Sequence, residues 1–249
     1  MPRRSRISAS PPLLAAVALA LAGGCDATLS EFDGIYSRGA DAFVLCGHTV
    51  DDKASIGLDE VGKALTRAKV DGTTVHLYAH KPRVTVDRST IATVLAAAEQ
   101  RAVTTVTYRE LLEGERPGTL ALSFDDHALD AWTALRPLFA RYHARATFFV
   151  SAYLSLSEAE RAQLQQLAAD GHDIEYHSTN HLDAEAYVDA HGGDAYLADE
   201  ILPALTAMRA DGYDPVVFAY PFGARSEASD AALVGHFAAL RAIRSTCPR

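Results

Sequence analysis

The stretch Thr119-Leu120-Ala121-Leu122-Ser123-Phe124-Asp125-Asp126-His127 runs a mostly apolar hexapeptide straight into two carboxylates and an imidazole. An apolar run of this length suits a strand buried on both faces, as in a parallel sheet covered by helices. In such sheets function gathers at the C-terminal ends of the strands, where Asp125, Asp126 and His127 would stand. The same rhythm repeats outward. Residues 43–46, 74–79, 103–107, 119–124, 145–150, 172–176, 216–220 and 241–246 read as strands. Helical periods over 58–70, 89–101, 128–143, 157–170, 194–211 and 229–240 separate most of them. Asp170-Gly171 and Asp211-Gly212 stop two of these helices with a left-handed glycine, and Ser157 with Glu160 opens another as a capping box. Eight such strands predict one α/β domain, either a closed barrel or a doubly wound open sheet.

The residues that follow the strands share a chemistry. His177-Ser178-Thr179-Asn180-His181 follows 172–176, Pro221-Phe222-Gly223 follows 216–220, His80 follows 74–79, and His48, Asp51 and Asp52 follow 43–46. Taken singly, Asp-Asp is a solvated turn, His-x-x-x-His a pair of surface imidazoles, and Pro-Phe-Gly a turn. Their convergence on one rim points instead to a metal-dependent hydrolase. His177 and His181, four residues apart, can face the same way. With Asp126 they would supply two imidazoles and a carboxylate to a zinc ion and leave a position open for water. Asp125 is then the base, the backbone N–H groups of the 221–223 turn stabilise an oxyanion, and His80 is the acid for a departing amine. His127, His143, His172, His191 and His236 read as structural or surface residues.

The chain has 249 residues, 49% of them hydrophobic, and a net charge of −9. That composition is globular. The acidic balance speaks against nucleic acid as a partner, and three Cys are too few for a disulfide scaffold or a structural zinc cluster. Arg3, Arg4 and Arg6 precede an apolar run over 13–22, then Gly23-Gly24-Cys25. This pattern predicts an export signal over 1–24, since the run is too short to span a bilayer. Cys25 after the small residues resembles a bacterial lipobox. A lipid anchor at Cys25 would hold the chain at a membrane of the cell envelope. Residues 25–41 read as a tether, and 42–249 as the folded domain.

Ser123-Phe124-Asp125-Asp126-His127 resembles the first motif of the polysaccharide deacetylases, also called the NodB-homology or carbohydrate esterase family 4 fold. Gly171 to His181 is similar to the second motif, Gly-His lead-in included, and Ala219-Tyr220-Pro221-Phe222-Gly223 to the third. The resemblance spans 119–246. It implies a distorted (β/α) barrel that removes N-acetyl groups from sugars with zinc or another divalent transition metal. It makes Asp125 the base, Asp126, His177 and His181 the metal ligands, and Phe222 an oxyanion donor. It carries over no nucleic-acid partner, and a monomer is expected. Two residues depart from the family: His127 replaces a glycine, which would narrow the site, and Ala219 replaces an arginine that braces the base. Arg225 or another arginine would have to substitute.

The family continues past the third motif with two more strand–helix units. Here the matching segments precede the first motif: Val75-His76-Leu77-Tyr78-Ala79-His80 resembles the terminal His strand, and 91–111 the closing helix, strand and tail. The order implies a circular permutation, which a barrel tolerates when its original ends lie close together. In that reading Asp51 or Asp52 orients His80. The permutation also sets 241–246 beside 43–46, implying a Cys46–Cys247 disulfide in an oxidising compartment. Two alternatives stay open: a related amidohydrolase acting on a non-sugar amide, and a catalytically impaired lipoprotein that only binds glycan.

Overall fold

Along β5 (Thr119–Asp126), Leu120, Leu122 and Phe124 point one way and Ala121, Ser123 and Asp125 the other, the two-residue period of a pleated strand. The first set joins a large cluster shared with the helices, and Ala121 joins a smaller one inside the sheet. The structure, a computed structural model, describes residues 28–54 and 57–248. Within them the other strands are β1 (Tyr36–Ser37), β2 (Val44–Thr49), β3 (Thr74–Ala79), β4 (Thr104–Val106), β6 (Thr147–Val150), β7 (Asp173–Tyr176), β8 (Val217–Ala219) and β9 (Ala239–Ile243). The order β3-β2-β9-β8-β7-β6-β5 is parallel throughout, and β3 pairs again with β5 from Thr74↔Thr119 to Ala79↔Phe124. Seven strands thus close a barrel.

Two short strands fill gaps where the staggered neighbours begin late. β4 lies along β5 from Thr104↔Thr119 to Val106↔Ala121, below the point where β6 takes over at Ser123↔Thr147. β1 runs antiparallel on β3 at Tyr36↔Val75, below β2, which pairs at His48↔Leu77. Residues 28–41 are therefore no tether. Leu29 and Ile35 are fully buried and Arg67 stacks on Tyr36 at 4.5 Å, so this segment seals the barrel's flank. Cys25 and the export segment 1–24 lie outside the described residues.

Other boundaries also shift. The helical period 128–143 breaks into Leu129–Thr133 and Arg136–Arg141, with Pro137 opening the second. The period 229–240 is only half right. The helix there is Glu227–Leu233, and Gly235 at φ 86° turns the chain so that Phe237 enters the core and β9 begins at Ala239. The rim segment 183–193 carries a helix, Ala184–His191, capped by the Asp183 carboxylate on the Ala186 N–H at 2.9 Å. None of the helices described is long and apolar enough to cross a membrane.

After β9 a tight turn, Arg244–Thr246, swings Cys247 back to Cys46 on the neighbouring β2, and the two form a disulfide with Cα atoms 5.8 Å apart. The bridge closes a loop of 201 residues. In the chain-entropy account such a loop contributes about 5 kcal/mol. Reduction, or Cys46→Ser, is therefore expected to lower the denaturant midpoint markedly. Equal midpoints with and without reductant would show that the bridge adds no stability.

Candidate active site

β5 carries Asp125 inward and ends on Asp126, whose φ of 85° turns its carboxylate across the barrel mouth. After β7 the chain passes through Ser178 (φ 68°) and His181 (φ 60°), and after β8 through Phe222 (φ 58°). Four of the eight described non-glycine residues at positive φ thus lie in three rim loops of one site, the clustering of strain found where function over-determines the backbone. Gly223, at φ 66°, is fixed by contact: a Cβ there would sit 2.3 Å from Ile243 Cγ1.

These turns bring Asp126, His177 and His181 together. Asp126 Oδ1 lies 3.2 Å from His181 Nε2 and 3.7 Å from His177 Nε2, and the two imidazole nitrogens are 3.2 Å apart. His177 is buried and donates its Nδ1–H to the Ala219 carbonyl at 2.8 Å, which leaves the Nε2 lone pair facing the others. Burial is the main reason its pKa falls to about 4, so it is neutral at pH 7. Burial would raise the Asp126 carboxyl, but the His181 hydrogen bond and the surrounding imidazoles outweigh it and bring it down to about 2. Three donor atoms facing one point, two of them aromatic nitrogens, fit a divalent transition metal.

Asp125 lies behind this trio and is nearly fully buried. Its Oδ2 accepts from Arg241 Nη2, while its Oδ1 has no partner among the described residues. Arg241 itself is fully buried, its guanidinium 4.7 Å from the Tyr78 ring centre and 5.2 Å from that of Phe149. Arg225 is not the brace. It pairs with Asp230 and donates to the Thr246 carbonyl at 3.1 Å. The pattern of apolar runs sets Arg241 at the edge of strand 241–246, whereas the strand is Ala239–Ile243 and Arg241 lies in its middle. The usable signal was a lone arginine on the otherwise apolar run Ala239-Leu240-Arg241-Ala242-Ile243, which in a barrel wall implies an inward partner of opposite charge.

Opposite stands His80. Its Nδ1–H donates to Asp51 Oδ2 at 2.5 Å, and Thr85 and Thr49 hydroxyls donate to the same carboxylate at 2.9 and 3.0 Å. Burial works against the imidazolium, but the Asp51 hydrogen bond and the charges of Asp125, Asp51 and Asp126 outweigh it and raise the His80 pKa. Asp52 does not share this role; its carboxylate receives the Asp87 N–H at 3.4 Å. His127 turns away to Ser151 Oγ at 3.1 Å, so it does not narrow the site. A cavity of about 270 Å³ is bounded by His80, Asp125, Asp126, His177, His181 and Arg241 with Tyr78, Tyr220, Phe222, Gly223 and Ile243. Pro221 is buried beneath the turn, and the Phe222 ring, 65% exposed, stands edge-on to His181 at 4.7 Å.

The sequence model described as Polysaccharide deacetylase matches residues 113–236. No curated protein sequence matches the chain. Among solved structures, IcaB from Ammonifex degensii is similar with a TM-score of 0.57 at 20% identity, over 70% of this chain and 86% of that one. The deacetylase domain of BpsB from Bordetella bronchiseptica gives 0.54 at 14% identity, over 85% and 96%. A de-N-acetylase from Aggregatibacter actinomycetemcomitans gives 0.54 at 13% identity, over 64% and 83%. At these identities the likeness is one of fold: the distorted (β/α) barrel.

Proposed function

Because the chain belongs to the polysaccharide deacetylase family, hydrolases of non-peptide carbon–nitrogen bonds, we propose that it removes N-acetyl groups from an N-acetylated poly- or oligosaccharide in a metal-dependent reaction. The observation that carries this is the meeting of Asp126, His177 and His181 beside a buried carboxylate with one free oxygen. When bound there, a divalent ion such as zinc supplies Lewis acidity and brings the pKa of a water toward neutrality. Asp125 Oδ1 takes the proton of the attacking water, while Arg241 Nη2 holds Asp125 Oδ2 in place. The Phe222 N–H, in the turn that lines the cavity, is assigned as donor to the oxygen that gains negative charge as the carbonyl carbon becomes tetrahedral. His80, held by Asp51, gives its proton to the sugar nitrogen as the C–N bond breaks, releasing acetate and an amine. Arg241 in the brace position, and His127 turned away to Ser151, answer the two departures at Ala219 and His127 that favour an impaired, binding-only chain.

The strand order supports a circular permutation: β2 and β3 precede residues 113–236 in sequence yet stand between β9 and β5 in the barrel. Export through 1–24 and lipid anchoring at Cys25 belong to the same reading, which makes the substrate a glycan of the cell envelope.

Acetate release from a panel of N-acetylated glycans, with zinc or cobalt and with chelator, tests the proposal. Metal-dependent acetate from at least one glycan is expected. Turnover confined to small cyclic amides would replace this reading with an amidohydrolase acting on a non-sugar amide. Glycan binding without turnover on any substrate would leave a binding protein.

The acid role also fixes a pH response. His80 must be protonated to donate, so activity falls as pH rises through its raised pKa. Asp51→Asn removes a hydrogen bond and a charge that raise it, and should move the alkaline limb to lower pH. A limb that stays in place would show that another group is the acid.

A further inference from the structure

The loop that bears His177 and His181 is gripped from behind by a residue that no motif marks. Between the helices Gly193–Tyr196 and Leu202–Ala210 the backbone widens into a π turn, Leu197–Ile201. Such turns loosen the helical ladder and often mark functional sites. Here the Glu200 carbonyl accepts the Tyr176 hydroxyl at 2.7 Å and the Thr179 N–H at 2.9 Å, and the Ile201 carbonyl accepts Tyr176 at 3.0 Å. The Glu200 side chain is fully buried. Its Oε2 accepts the backbone N–H groups of Asn180 at 3.1 Å and Leu182 at 3.3 Å, and its Oε1 accepts Asn180 Nδ2 at 2.5 Å. These donors flank His181 on both sides.

A buried carboxylate is costly unless donors converge on it, and here the donors come from the ligand loop. That loop needs holding, because Ser178 and His181 sit at left-handed φ values that disfavour L side chains. We propose that Glu200 is a positioning residue for the metal centre: its carboxylate clamps residues 180–182 so that His181 Nε2 meets His177 Nε2 and Asp126 Oδ1. The assignment rests on the metal site described above. Glutamine would keep one accepting oxygen but lose the charge that the two backbone N–H groups meet, and Asn180 would have to turn its amide over to accept from the new N–H.

Glu200→Gln in the whole chain tests it through metal binding and loop protection rather than turnover. Cobalt affinity of the metal-free protein, read in the visible band against a competing chelator, should fall about 10- to 100-fold, the range for losing a group that orients a ligand. Amide hydrogen exchange over 178–183 should quicken while β5 stays protected. Asn180→Ala removes one donor and should give a smaller loss, less than additive with Glu200→Gln; it carries the test if Glu200→Gln does not fold. A lower unfolding temperature with unchanged cobalt affinity would reduce Glu200 to a structural role, and unchanged exchange in the loop would equally overturn the clamp. A wild-type chain that binds neither cobalt nor zinc would remove the metal centre and Glu200's role together. Tight wild-type binding with an unaffected variant would overturn Glu200 alone.

Discussion

Asp125→Asn is expected to slow acetate release by roughly 10²- to 10⁴-fold, the usual worth of a positioned base, while stoichiometric metal uptake persists. The substitution also touches stability. Arg241 is fully buried between Tyr78 and Phe149, and its Nε has no partner among the described residues. Neutralising Asp125 leaves that cation uncompensated, a loss of about 3–5 kcal/mol when one member of a buried pair is removed. For a chain of this size the melting temperature should drop by roughly 10 °C. The two effects separate in the double variant Asp125→Asn with Arg241→Met, because an apolar side chain of similar length can replace the buried cation at little or no cost. The double variant should regain most of the lost stability and none of the rate. Full activity in Asp125→Asn at a temperature where it is folded would place the base elsewhere.

That pair also shows where the sequence could be read and where it could not. Asp125 and Asp126 follow the mostly apolar run 119–124, while His177 and His181 follow 172–176, which carries Asp173 and Glu175 and owes its place to the Gly171 stop before it. Residues just past such strands stand on the rim of a parallel barrel. The ends of β2 and β9 were not legible: the runs read at 43–46 and 241–246 are strands Val44–Thr49 and Ala239–Ile243, and the nearness of Cys46 and Cys247 followed from the permuted order that the family resemblance implies. Arg241 was not legible either. It lies inside a strand, and a pattern of apolar runs treats a charge as an edge rather than an inward-facing group. Glu200 was hidden differently. Asp199-Glu200 on a helix reads as a solvated face, and only the π turn rotates Glu200 into the protein. Segment 28–41 lacks any long period. Its Leu29, Phe32 and Ile35 are too few to reveal a packing face until the barrel offers one. What pairing across the fold decides, local pattern does not carry.

His177 combines both kinds of role, so its variants should part company. It supplies Nε2 to the metal trio, and its Nδ1–H ties β7 to the Ala219 carbonyl of β8. The two strands share a single register pair, Tyr176↔Phe218, so that hydrogen bond is a sizeable part of their seam. His177→Ala removes both and should abolish stoichiometric metal, abolish metal-dependent acetate release and lower the melting temperature. His177→Asn keeps an N–H donor near the Nδ1 position but has nothing to offer where Nε2 stood. It should lose metal as completely as the alanine variant, beyond the roughly 100-fold cost of losing an orienting partner, yet melt closer to wild type. Metal analysis of the desalted proteins with thermal melts separates the two contributions. If His177→Asn retained metal at wild-type occupancy, the imidazole would not be a ligand, and the neighbouring His181 and Asp126 could not define the centre without it.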